Sequence, residues 1–357
     1  MCQSGFSRSG PDRIGRSRAL TMQKVNGKRV MTEAVEKLQR LTVVSPGSRP
    51  RFVASGVLLL DKPADISSFA AISQLKRLLN AARVGHCGTL DPFASGLLLV
   101  CLNQATRIVD QLLIQDKVYR FTLHLGVETD TLDRTGAICR HYNGKPPAEE
   151  SLKHAAAIFC GRYLQQAPKY SAIKVRGRRL YEWTRQGIDM ETPVRPVHIQ
   201  QLELEKYEWP EAVFEVRCSK GTYVRQLAAD IGEKLGCGGH VSHLRRLASG
   251  RFHVNQATTL EELKGNTGDL DRRGKLLSLN EALSHLSELI IESPQVLALL
   301  KDGHLDPDWE AHQRLALDPK RLGPVRLVNG QGQLLALWWP DAQAGERRVR
   351  VFSSSEQ

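Results

Sequence analysis

Apolar residues along the chain fall into short runs and alternating stretches, with no long periodic block. Gly56-Val57-Leu58-Leu59-Leu60 is closed by Asp61-Lys62-Pro63, the pattern of a buried strand running into a turn. Ser67 or Ser68 then offers an N-cap for a helix whose Phe69, Ile72, Leu75 and Leu79 are predicted to share an apolar face. A Gly-punctuated loop from Gly85 to Gly96 leads into a strand beginning at Leu97. Val118 to Leu125 alternates, with Tyr119, Phe121, Leu123 and Leu125 on one side and Arg120, Thr122 and His124 on the other. That is a half-buried strand by its period of two. Phe214 to Cys218 reads as another strand. After Ser219-Lys220-Gly221-Thr222-Tyr223 comes a helix with Leu227, Ile231 and Leu235 inward.

The polar stretch Gly265 to Gly274 marks an expected domain boundary. Beyond it the pattern predicts a helix around Glu281 to Ile291. Short strands follow at Val325 to Val328, Leu334 to Trp338 and Val349 to Phe352, with Asn329-Gly330 as a turn. Strands mixed with helices outside strict βαβ order, and without internal repeats, predict an α+β fold.

Length and charge narrow this picture. The chain has 357 residues, 41% hydrophobic and 25% charged, enough for one large core or two domains. No run of 18 uncharged apolar residues exists, so no membrane-spanning helix and no membrane partner are expected. The net charge of +12 points to an anionic partner such as nucleic acid. It is unevenly spread: residues 1–51 carry +8, residues 52–260 carry +7 and residues 261–357 carry −3. The first segment, rich in Arg, Ser and Gly and without an apolar core, reads as a flexible basic arm. Transit-peptide character and a natural start at Met22 or Met31 both fit it. The seven cysteines are scattered, odd in number and never C-x-x-C, as in a reducing compartment. No metal site is expected from them or from His240 and His243 beside Cys237.

The glycine-rich loop lacks the Gly-Lys-Ser/Thr ending of a P-loop and does not fit G-x-G-x-x-G. What it holds is one carboxylate, Asp91, between Leu90 and Pro92. Pro92 biases the preceding residue towards extended backbone, and the glycines allow a substrate close approach. A rigid, partly desolvated carboxylate suits nucleophilic or general-base chemistry. Taken alone, an Asp closing a turn is the more ordinary reading.

The longer pattern changes that balance. Gly85-His86-x-Gly88-Thr89-Leu90-Asp91-Pro92-x-Ala94-x-Gly96-Leu97-Leu98 closely resembles the active-site motif of the TruB family of tRNA pseudouridine synthases. Asp61-Lys62-Pro63, Lys117-x-Tyr119, Leu125-Gly126-x-x-Thr129-Asp130-Thr131-x-Asp133 and Gln166-x-Pro168-x-Tyr170-Ser171-Ala172-x-Lys174 match further family segments in order. Cys218-Ser219-Lys220-Gly221-Thr222-Tyr223-x-Arg225 and His243-Leu244-Arg245-Arg246 complete the set. The resemblance spans roughly residues 55 to 263.

It implies an enzyme that detaches a uridine base, rotates it and rejoins it to ribose through carbon, acting on the uridine at position 55 of the tRNA T-loop. The base must leave its stack to be reached. By this resemblance Asp91 attacks the nucleotide or assists cleavage of its glycosidic bond, and Arg225 pairs with it. Tyr119 packs on the flipped uracil, Tyr223 is a second pocket tyrosine, and Leu244 is an apolar wall. His86 fills space vacated by the nucleotide. Lys117, with Lys174 and Arg176 in the basic and aromatic segment Lys169 to Arg179, is expected to bind substrate. The implied layout is a flexible arm over 1–51, a pseudouridine synthase domain over 52–263 with a thumb-like insertion at about 165–195, and a small β-rich PUA-like module over 275–357. A net −3 argues against a strong phosphate-gripping face on that module.

One departure concerns the turn after Asp61-Lys62-Pro63, where Asp65 stands in place of the family's usual glycine. Asp tolerates left-handed backbone, so the turn is expected to survive. The expectation is a cofactor-independent, cytoplasmic, monomeric tRNA uridine isomerase without an obligatory protein partner. A guide-RNA-dependent enzyme acting on other RNA and a non-catalytic RNA-binding protein are the alternatives.

Overall fold

A computed structural model describes residues 52–264, 270, 274–301, 305–316, 323–342 and 348–352. The expected basic arm lies outside the described residues, as does most of the polar stretch after Lys264.

The apolar run after Ser55 forms β1 (Gly56–Lys62), and all but Asp61 of it is buried. β2 (Val84–His86) and β3 (Ser95–Leu102) flank the glycine-rich loop. The alternating stretch becomes β4 (Lys117–Leu125), with Phe121, Leu123 and Leu125 buried. A small pair follows, β5 (Val127–Thr129) and β6 (Ile138–His141), then β7 (Gly161–Gln166) and a two-stranded hairpin of β8 (Lys174–Val175) and β9 (Arg178–Arg179). The long hairpin of β10 (Val194–Glu208) and β11 (Glu211–Cys218) precedes β12 (Gly239–Ser249). The short β13 (Phe252–His253), β14 (Thr258–Thr259) and β15 (Leu276–Leu277) complete the main sheet.

That sheet has 11 strands, in the order β14-β1-β3-β12-β4-β11-β10-β7, with β2 on β3, β13 on β12 and β15 on β1. Its pairing is mixed: β12 runs parallel to β3 and antiparallel to β4. β4 is therefore central, between β12 and β11. The helix Val224–Lys234 packs on one side, its Leu227 and Ile231 against Phe121, Leu123, Phe214 and Val241. The fold is α+β, as expected.

The helix Ser68–Leu79 begins one residue after Ser67, whose hydroxyl caps it by accepting from Ala70 N at 3.0 Å. Its buried stripe is Ser68, Ala71, Leu75 and Leu79. Phe69, expected on that face, is 75% exposed. The reason is register: Ser68 takes the inward position to bond a neighbouring loop, which turns Phe69 roughly 100° away.

The C-terminal pattern also departs from expectation. Ser278 and Glu281 form a capping box, but the helix they start is only Leu279–Ala282. Glu288–Ile290 is instead a strand, β16, parallel to β17 (Val325–Val328). β18 (Leu334–Trp338) and β19 (Val349–Val351) extend this four-stranded sheet as predicted. The helices Pro294–Lys301 and Pro307–Ala316 were not expected. Leu279, Leu283, Val328, Leu334, Leu337 and Phe352 share one apolar cluster with Val57, Leu59, Leu97 and Leu99. The C-terminal elements thus bury the outer face of β1 and β3.

Candidate active site

Asp91 lies in the loop between β2 and β3, and side chains from three other segments hold the backbone of that loop. The Ser68 hydroxyl donates to Leu90 O and accepts from Leu90 N, both at 2.9 Å. Lys62, fully buried, donates from Nζ to Ile66 O at 2.7 Å, Pro63 O at 2.8 Å and Pro92 O at 3.3 Å. Burial pulls its ammonium down to about 8, against the opposing pull of Asp65 and Asp91. Arg246, on β12, donates from Nε to Leu97 O at 2.6 Å and from Nη2 to Gly88 O at 3.0 Å. Gly96, at φ 104°, allows that approach: a Cβ there would sit 2.3 Å from Arg246 O. The turn that Lys62 closes keeps its left-handed residue, Asp65 at φ 65°, and the Asp65 carboxylate pairs with Arg134.

The carboxylate of Asp91 is 35% exposed and meets a buried guanidinium. Arg225, in the first turn of the helix Val224–Lys234, donates from Nε to Oδ2 at 3.0 Å and from Nη2 to Oδ1 at 3.1 Å. Its remaining donors reach Thr131 O at 2.8 Å and Tyr170 O at 2.9 Å, and Asp133 Oδ2 lies 3.4 Å from Nη1. Asp133 is buried and accepts at Oδ1 from Thr131 Oγ1, Thr135 N and Thr135 Oγ1. Four hydrogen bonds and the neighbouring Asp133 carboxylate thus compensate a desolvated guanidinium.

Tyr119 faces the same side of β4 as Phe121 and pairs across with Arg246 and Val216. Burial pushes its hydroxyl up, the positive charge and hydrogen bond of Arg246 opposing, so it stays a neutral phenol. Leu244, opposite Phe121, belongs to the apolar cluster of Leu90 and Phe93, against which Tyr119 packs. Tyr223 directly precedes the helix of Arg225, and burial raises its hydroxyl too. His86, at the end of β2, has a buried Nδ1 without a hydrogen-bond partner. Burial, with Arg246 adding to it, holds its imidazole below its ordinary range, hence neutral.

Asp91, Arg225, Tyr119, Tyr223, Leu244 and His86 are thus gathered around one loop. Three of the expected residues are not. Lys117 is buried at the first position of β4, two residues before Tyr119, but its Nζ donates to Leu113 O at 2.7 Å and to Gln115 O, where it braces a turn. Lys174 and Arg176 are exposed on the β8–β9 hairpin, Arg176 at its tip with φ 49° beside Gly177 at φ 80°. The residues that sequence reasoning did not single out are Lys62, Arg246 and Asp133. All three lay inside recognised segments, but nothing in their spacing showed that they hold the loop and the arginine.

Residues 76–224 match the N-terminal domain of TruB family pseudouridylate synthase, and residues 225–286 match the tRNA pseudouridylate synthase B C-terminal domain. A tRNA pseudouridine synthase B from Syntrophobacter fumaroxidans is 52% identical over 299 residues, covering 84% of this chain and 97% of that one. The chain belongs to the TruB pseudouridylate synthase family. A second relative, tRNA pseudouridine synthase B from Aromatoleum aromaticum, is 44% identical over 313 residues, covering 86% of this chain and 96% of its own. Among solved structures, a Cbf5–Nop10–Gar1 complex aligns with a TM-score of 0.60 at 26% identity, over 86% of this chain and 88% of that chain. An H/ACA RNP bound to a substrate RNA containing 2′-deoxyuridine aligns with a TM-score of 0.59 at 26% identity, over 86% and 87%. The two TruB family matches meet between Val224 and Arg225, so the Asp91–Arg225 pair joins one matched region to the other.

Proposed function

We propose that this TruB family chain isomerises uridine to pseudouridine in tRNA, at position 55 of the T-loop, with Asp91 as the catalytic carboxylate. The single observation that carries the residue assignment is the two-point pairing of the partly exposed Asp91 carboxylate with the buried Arg225 guanidinium. The guanidinium aims the carboxylate through two parallel hydrogen bonds while leaving part of it open to a ligand. Asp91 attacks the flipped nucleotide or assists departure of its base. The glycosidic C–N bond breaks, the freed uracil turns, and a C–C bond forms to ribose. The proton lost from the base carbon is balanced by the one gained at nitrogen, so no net redox change occurs. Tyr119 and Leu244 hold the ring by its faces during the turn, which suits a base that must rotate without being released. Tyr223 narrows the pocket, and His86, neutral, fills the place that the nucleotide leaves.

On this reading the enzyme is cytoplasmic, cofactor-independent and monomeric, and needs no protein partner. The exposed Lys174–Arg179 hairpin favours it over a guide-RNA-dependent enzyme, because it supplies a basic grip on the substrate from the chain itself. The test is incubation of the protein alone with an unmodified tRNA transcript, followed by position-resolved mapping of pseudouridine. Product confined to position 55 is expected. No product, or product only after a guide RNA is added, would overturn the reading.

A further inference from the structure

We propose that Gln165 is a positioning residue for the uridine pocket, fixing Tyr223 and through it the helical turn that carries Arg225; this rests on the functional reading above. Gln165 comes from β7, the edge strand of the main sheet, yet its side chain is turned inward and is 2% exposed. Its Oε1 accepts from Tyr223 N at 2.8 Å, while its Nε2 donates to Tyr223 O at 3.0 Å and to the Tyr163 hydroxyl at 2.6 Å. The carboxamide thereby pairs with the backbone of Tyr223 as a neighbouring strand would, 58 residues away along the chain. Tyr163 is anchored in turn, its ring edge-on to Phe159 at 5.4 Å.

The Tyr223 carbonyl also accepts from Leu227 N at 3.1 Å, the first bond of the helix, but Tyr223 N has its partner in Gln165. Tyr223 is the N-cap of the helix Val224–Lys234 but makes no side-chain cap hydrogen bond. The preceding turn is fixed to β10 at its first residue, Ser219 N donating to His198 O at 2.8 Å and Ser219 Oγ accepting from His198 N at 3.0 Å. Thr222 Oγ1 donates to Ser219 O at 2.9 Å, while a Cβ at Gly221, nearer Tyr223, would meet nothing within 4 Å. Two residues beyond Tyr223 stands Arg225. A shift at this junction therefore moves the pocket wall and the partner of Asp91 together, and misplacements of about 1 Å cost about 10²-fold in rate.

The chemistry also explains why the residue is a glutamine. The site needs an acceptor for Tyr223 N–H and a donor for Tyr223 C=O on one short planar group. A carboxylate supplies only acceptors and would face the carbonyl oxygen with like charge. A protonated carboxylic acid regains the donor.

The experiment compares wild type, Gln165→Leu and Gln165→Glu on unmodified tRNA transcript. It measures kcat, KM and tRNA Kd, with circular dichroism as the folding control, between about pH 5.5 and 8.5. Gln165→Leu is expected to lose about 10- to 100-fold in kcat with tRNA Kd within about threefold of wild type. Gln165→Glu is expected to approach wild-type kcat at the acid end and to fall with one proton loss as the pH rises, a signature that general loosening of the fold would not produce. An active wild type with Gln165→Leu at kcat within about twofold of it would overturn this inference alone. So would a Gln165→Glu profile superposing on wild type, which decides the matter even if Gln165→Leu does not fold. A folded wild type that forms no pseudouridine would overturn the functional reading, and this inference with it.

Discussion

Arg225 grips Asp91 with two nitrogens, Nε to Oδ2 at 3.0 Å and Nη2 to Oδ1 at 3.1 Å, across 134 residues of sequence. The fork geometry is one that lysine cannot reproduce. Arg225→Lys is expected to keep a positive charge near the loop but to lower single-turnover pseudouridine formation by about 10²- to 10³-fold. Asp91→Asn removes the charge and should lower it by about 10⁴-fold or more, leaving tRNA Kd nearly unchanged in a binding titration. Comparable turnover by the asparagine variant would remove Asp91 from the chemistry.

Gly96 tests how the loop is shaped. Its φ of 104° and the 2.3 Å that would separate a Cβ from Arg246 O both exclude a side chain. Gly96→Ala should cost about 3 kcal/mol or more of stability, seen as a large fall in Tm, and activity should be lost with it.

Lys117 and the hairpin cations should separate cleanly. Lys117→Met leaves the Leu113 and Gln115 carbonyls without their donor, so stability should fall by about 1–3 kcal/mol while tRNA Kd stays within about twofold. Lys174→Ala combined with Arg176→Asn, asparagine being chosen because it accepts the positive φ, should do the reverse. The expected result is weaker tRNA binding, unchanged Tm and a salt slope shallower by about 0.7–0.9 per lost phosphate contact. A salt slope equal to wild type would exclude the hairpin from the RNA interface.

Asp230 carries a pH dependence of stability. Burial, with Glu233 adding to it and Gln226 opposing, raises its carboxyl from 3.8 to about 6. Between those values the folded protein holds a proton that the unfolded chain has released, so stability falls as the pH rises through this window. The penalty is complete above pH 6. Asp230→Asn should therefore raise stability by about 1–2 kcal/mol at neutral pH and leave it unchanged near pH 4, as measured by denaturant titration at both.

Some of this was legible in the residues and some was not, for physical reasons. β4 could be read from its alternation because one face is buried and the other is not. Asp65 could be expected at positive φ because aspartate tolerates it. Phe69 misled because its size suggested burial, whereas a serine took the inward register to bond Leu90. Residues 281–291 misled because a sound capping box started a helix that parallel pairing with β17 then cut short. Within the site, Asp91 and Arg225 stood out only as parts of a family pattern, since no local period connects residues that far apart. Lys117 sat correctly on its strand, but its flexible stem folds back to the nearest bare carbonyls.

The loop of Asp91 is held by Lys62, Ser68, Arg225 and Arg246, each from a different part of the chain. No fragment ending before β12 or beginning after β1 can contain that set. A refolding chain should therefore acquire no partial competence on the way, because the last distant pairing to form completes the set. Recovery of pseudouridine formation after dilution from denaturant would then serve as a clock for assembly of the entire sheet, running behind any probe of helix content.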